Sequence, residues 1–196
     1  MSQRLPASAH TTRPWRIHQL APDFELEDVW RVSTPDAGEG DFAAVVAAIF
    51  GNGGRPEGEG LIGRLLFSVR WRLGALLGWD KPTHGLGTWT SRVAERTDDA
   101  PVPSLPGSPF TPIHRSRSEE ASEMANATMH GIMHLGWVQG PGADHELRVA
   151  VLVKPHGARG RSYMRLITPF RVLLVWPPMI AAWERAWLER DDVTGG

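Results

Sequence analysis

At 196 residues with a formal net charge of −1, the chain fits one domain and exerts no strong overall pull on nucleic acid or acidic lipid. A chain of this length buries roughly 70% of its unfolded surface and needs no disulfide or metal staple. It contains no cysteine, which excludes disulfides, thiolate nucleophiles, Cys-type zinc sites and iron–sulfur clusters, and fits a cytoplasmic protein.

Met1–Trp15 is rich in Ser, Thr, Arg and Pro and has no apolar run of the kind that targets a chain for secretion. Residues 1–14 are read as a flexible N-terminal arm and 15–196 as a single domain. Phe24–Val32 predicts a strand, bulged around Glu27-Asp28 where the alternation slips. After the turn-forming loop Ser33–Gly40, Asp41 stands where an N-cap carboxylate would accept from exposed first-turn amides. Phe42, Val45, Val46, Ile49 and Phe50 then form one apolar helical face ended by Gly51. A glycine-rich loop spans Gly51–Gly60. Leu61, Ile62, Leu65, Leu66, Val69, Leu73, Leu76 and Leu77 predict a second amphipathic helix with Arg64, Arg70 and Arg72 off the stripe. Gly87–Val93 reads as a short strand and Asp98–Pro109 as a loop.

From Phe110 the pattern turns to strands. Phe110–Arg115 and Ala121–Ala125 are short ones, the second handicapped by Glu and Ala. Thr128–Val138 and His145–Val153 form a hairpin across the turn QGPGAD, with odd positions of both strands sharing the core face. Lys154-Pro155-His156-Gly157 stops the sheet. Arg159–Arg190 is then helical, with Tyr163, Ile167, Phe170, Leu174, Ile180, Trp183 and Trp187 in register. Pro169 and Pro177-Pro178 predict kinks or breaks, because each proline removes a donor and crowds the preceding turn. Pro177 suits the first turn of a final helix. The most membrane-like stretch, Val172–Trp183, has twelve residues against the ~20 needed to span a bilayer, so no transmembrane segment is expected.

The order strand, two helices, antiparallel strands and long terminal helix gives an α+β helix-grip fold, an antiparallel sheet wrapped around a proline-kinked C-terminal helix. Asn126–Val138 (NATMHGIMHLGWV), Val149–Pro177 (VAVLVKPHGARGRSYMRLITPFRVLLVWP) and Trp71–Pro82 (WRLGALLGWDKP) resemble the family called domain of unknown function 2867. That resemblance covers roughly Trp15 to the C-terminus and implies membership of the START-like, or Bet v 1-like, superfamily. Some relatives carry such a domain behind a Rossmann reductase domain. This chain has no G-x-G-x-x-G after a strand, so nicotinamide chemistry would need a separate Rossmann-type partner.

His130 and His134 are the first chemical candidates. Four residues along a strand span ~13 Å, too far for one ion with bonds near ~2 Å, so no metal site is expected. The pair suits acid–base chemistry, or a place on the outer sheet face, exposed or beneath a loop. Tyr163, the only tyrosine, stands where helix-grip folds place the pocket mouth, and its hydroxyl can orient a ligand carbonyl. Its spacing from Lys154 does not make the Tyr-x-x-x-Lys pair of short-chain reductases. Met129, Met133, Trp137, Tyr163, Ile167 and Phe170 are the expected ligand-binding residues. The leading expectation is an apolar or aromatic small molecule bound between the sheet and the terminal helix, with no cofactor. Two alternatives stand beside it. One is a cyclase- or dehydratase-like enzyme using His130, His134 or Tyr163. The other is an interaction module, a homodimer or reductase-docking face built on Trp176, Trp183 and Trp187.

Overall fold

The computed structural model describes residues 3–50, 110–125 and 128–190. The expected helix at Leu61–Leu77, the loop Gly51–Gly60, the strand Gly87–Val93 and the loop Asp98–Pro109 lie outside the described residues. The elements are β1 (Gln3–Arg4), α1 (Ser8–Thr11), α2 (Ile17–Leu20), β2 (Glu25–Val32), a 3-10 turn (Glu39–Asp41) leading into α3 (Phe42–Phe50), β3 (Thr111–Arg115), β4 (Glu119–Ala125), β5 (Met129–Gln139), β6 (His145–Pro155), α4 (Gly157–Phe170), a π-helical segment (Arg171–Val175) and α5 (Trp176–Leu188).

The six strands form one antiparallel sheet in the order β1-β2-β6-β5-β4-β3. The β5–β6 hairpin pairs from Met129↔Pro155 to Gln139↔His145, as its two alternating runs require. The β2 register slips between Leu26 and Asp28, where the sequence pattern slips too. The bulge turns acidic side chains toward the terminal helix: Arg171 donates to Asp28 Oδ2 at 2.7 Å and Glu27 Oε2 at 3.0 Å. Arg4 meets the other oxygen of the buried Asp28 at 3.1 Å, so that charge is paired on both sides, as burial demands.

Two cores flank the sheet. On the helix-facing side Trp30, Leu135, Trp137, Leu147 and Val149 pack with Phe42, Val45 and Ile49 of α3 and with Trp176, Ile180, Trp183 and Trp187 of α5. Trp30 stacks on Trp176 at 5.9 Å between centroids, and Trp183 meets Phe50 edge-on at 5.4 Å, geometries that suit aromatic quadrupoles. On the other side Val29, Ile113, Ala121, Ile132, Ala150 and Leu152 are covered by Trp15, Ile17, Leu20 and Phe24. The stretch read as an arm therefore has structure: β1 pairs with β2, and His10 of α1 is 1% exposed.

Asp41 ends the 3-10 turn and bends its carboxylate back to the Gly38 N–H at 2.7 Å. The terminal helix responds to its prolines by widening rather than breaking. Pro169 sits inside α4, and Trp176 N–H donates to Arg171 C=O, five residues back. This π-type turn relieves the crowding that Pro177-Pro178 would impose on an ordinary α-turn. Pro177 lies in the first turn of α5, where its fixed φ suits the helix. Gly157 opens α4 at φ 67°, a conformation that favours glycine. A side chain on Gly160 would strike Thr128 O and Pro155, so glycine lets α4 lie close against the hairpin.

Candidate functional site

The polar site grows from strand register. His134 on β5 faces away from the terminal helix, flanked by Ala121 on β4 and Ala150 on β6. His114 of β3 is the next member of that cross-strand row. The two alanines leave room for imidazoles. Gly136, opposite Glu119, leaves room for the Trp15 ring, since a Cβ there would stand 2.7 Å from it.

Glu119 anchors the cluster. Its oxygens accept from Arg16 N–H at 2.8 and 3.1 Å, and Oε2 accepts from His134 Nε2–H at 3.0 Å. His114 Nε2 lies 3.3 Å from Oε1. On the far side of the His134 ring, Nδ1 is 3.1 Å from His10 Nε2. With His134 neutral and donating through Nε2, His10 Nε2–H is the donor across that gap. His10 Nδ1 is buried with no hydrogen-bond partner among the described residues. His18 packs edge-on against His10 at 4.9 Å. Four imidazoles thus cluster at one carboxylate, which His134 bonds, His114 approaches, and His10 and His18 reach only through His134.

Burial pushes the His10 pKa down to about 3, helped by the neighbouring His134 and His18. Burial likewise lowers His134, against the opposing pull of Glu119. Burial alone would raise the Glu119 carboxyl. The hydrogen bonds from His134 and Arg16 outweigh it and hold the group below its usual value. The cluster at neutral pH is one carboxylate solvated by imidazole and backbone N–H groups.

His130 repeats the motif one step along the same strands, donating to buried Glu123 at 2.9 Å beneath the edge of Phe24. Glu119 and Glu123 lie four apart on β4, and His130 and His134 four apart on β5. The histidine spacing stood out in the sequence; the matching glutamate spacing gains meaning only once β4 is paired with β5. The inward positions of β4 carry Glu119, Ala121, Glu123 and Ala125, the composition that made the strand hard to read. Among the described residues, no group of three or more His, Asp or Glu side chains is arranged to hold a metal.

The expected ligand-binding residues divide. Trp137 is buried, donates to Glu39 C=O at 3.0 Å and stacks on His145. Met133 packs against the helix-facing core. Met129, Tyr163 and Ile167 are half-buried, and Phe170 is exposed. Of the six, only Trp137 lines the large cleft found among the described residues, an open one of about 1160 Å³ at the Trp137 end of the sheet. Trp15, Phe42 and Trp137 supply its aromatic walls, and Arg13, Ser116, Ser118 and Glu119 lie around them. Glu119 belongs to both cleft and cluster; His130, His134 and Tyr163 are not among the cleft residues. Trp176, Trp183 and Trp187, the expected docking face, are buried at 3%, 5% and 2% exposure.

The described architecture is an α+β fold, a six-stranded antiparallel sheet backed by a long C-terminal helix. The chain belongs to the DUF2867 family of proteins of unknown function, whose family model matches residues 20–178. Comparison with curated proteins and with solved structures gave no match.

Proposed function

We propose that the protein binds an apolar or aromatic small molecule, in keeping with a helix-grip plan, and that the molecule enters at the Trp137 end of the sheet. The observation that carries this reading is the open cleft of about 1160 Å³ walled by Trp15, Phe42 and Trp137. Aromatic surface of this kind is what such a molecule stacks on, and the charged Arg13, Glu39, Arg115, Arg117 and Glu119 of the same lining would hold polar groups that it carries. Binding is favoured over a cyclase- or dehydratase-like reaction by the state of Glu119. It is the only member of the imidazole cluster in the cleft lining. It already accepts from Arg16 and His134, and its pKa is held low. An ionised, fully engaged carboxylate is a poor proton acceptor near neutral pH.

Native mass spectrometry of protein purified from its own host, followed by denaturing release, tests the reading. A co-purifying apolar molecule that Trp137→Ala loses and Ile167→Ala retains is the expected result. Retention by Trp137→Ala with loss in Ile167→Ala would move the site beneath α4. Protein that is empty in every preparation and binds none of a panel of aromatic ligands would overturn it.

A further inference from the structure

Near-zero net charge conceals a strong local segregation. Residues 147–183 contain Arg148, Lys154, Arg159, Arg161, Arg165 and Arg171 and no Asp or Glu. Within that stretch the terminal helix turns an apolar stripe outward. Leu166, Phe170, Leu173 and Leu174 are 61%, 55%, 70% and 43% exposed. They recur at i, i+4, i+7 and i+8, the spacing of a single helical face.

The continuous helix Gly160–Leu188 has 29 residues and mean hydropathy 1.4 in its most apolar window, of which 17% is buried. By length and composition alone it can cross a bilayer. Its packing instead lays it across the sheet: Met164 is buried near one end, Trp176, Ile180, Trp183 and Trp187 toward the other. Arg171 is turned inward to Glu27 and Asp28, so it does not interrupt the exposed stripe. Arg161 and Arg165 are exposed and precede Pro169 and Leu173 along one i+4 row. One outward face therefore passes from two turns of arginine to two turns of leucine and phenylalanine.

We propose that this face of the terminal helix is a docking surface for an anionic lipid membrane, lying parallel to the bilayer. Leu166, Phe170, Leu173 and Leu174 enter the acyl boundary, and Arg161 and Arg165 meet lipid phosphates and carboxylates. Exposed apolar patches with a charged border mark interaction sites. An apolar helix face with exposed arginines beside it, on a stretch without acidic residues and with the neighbouring Glu27 and Asp28 paired to Arg171, matches a negative lipid surface.

Co-sedimentation of the full chain with phosphatidylcholine vesicles, with and without phosphatidylserine, tests the assignment. Binding is expected to vesicles containing phosphatidylserine and to fall with added salt. Removing each arginine, as Arg161→Gln and Arg165→Gln, should weaken partitioning about fivefold. Both positions are exposed, so the fold should survive the change. Leu173→Ser should weaken partitioning further with an unchanged melting temperature. No sedimentation of the wild-type chain with anionic vesicles would overturn the proposal. A dimer in solution that Leu173→Ser splits would assign the face to a second copy. A large fall in melting temperature for Leu173→Ser, without vesicle binding by the wild type, would assign it to packing within the chain.

Discussion

The two faces of the sheet are built by different chemistry. The helix-facing side is read by shape: tryptophans, leucines and valines from three strands and two helices interlock, and no charge is needed to align them. The opposite side is read by hydrogen bonds as well. A carboxylate, two imidazoles and a backbone N–H are chained by contacts of about 3 Å, with two further imidazoles packed around them. An apolar core tolerates any partner of suitable volume, whereas a buried polar network depends on every member.

The largest test of this difference removes one member from each side. Glu119→Ala should cost about 3–5 kcal/mol, because it leaves the Arg16 N–H and the buried His134 imidazole without their shared acceptor. Trp183→Ala should cost a similar about 3–5 kcal/mol through the cavity it creates. Urea unfolding measures both. The faces part company in rescue: refilling position 183 with Phe should recover most of the loss, whereas Glu119→Leu should not restore the polar side. Full recovery in Glu119→Leu would show that the network does no more than fill space.

Acidification should act on the polar face through His10. The folded-state pKa of His10 is about 3, below the unfolded value of 6.5. Between those values the unfolded chain takes up the proton that the folded chain refuses. The stability from a neutral His10 is complete above pH 6.5 and is lost as the pH falls toward 3. At pH 5 the loss is about 2 kcal/mol from this residue. His134, also lowered, acts in the same direction. Unfolding curves at pH 7 and pH 5 check the slope, and His10→Phe should flatten it. An equally steep slope in that variant would place the titration elsewhere.

The smallest effect is expected on the helix-facing side. Leu135→Met conserves volume and should cost less than about 1.5 kcal/mol in a thermal melt. A loss as large as that of Glu119→Ala would mean the apolar face is as exacting as the network.

How far each face was legible follows the same division. Strands β5 and β6, their register, the bulge at Glu27–Asp28 and the buried side of α3 were all visible in the chain. Leu135, Trp137, Leu147 and Val149 alternate without interruption, and Phe42, Val45 and Ile49 follow a helical period. The inward carboxylates of β4 were not visible as core residues, because Glu119 and Glu123 look like solvent-facing positions until imidazoles are supplied. The π-turn was likewise hidden. Pro177-Pro178 announces a disturbance, and only packing at both helix ends selects widening over breakage.

By itself the sequence determined the local elements and which side of each is apolar, since side-chain period and turn chemistry act over a few residues. Tertiary structure alone decided that residues 3–24 cover the second face, that Glu119 meets His134 across 15 positions, and that His10 meets His134 across 124. It also decided which side of the terminal helix stays outward. Such meetings depend on how strands are ordered and how distant segments pack, and periodicity carries no record of either.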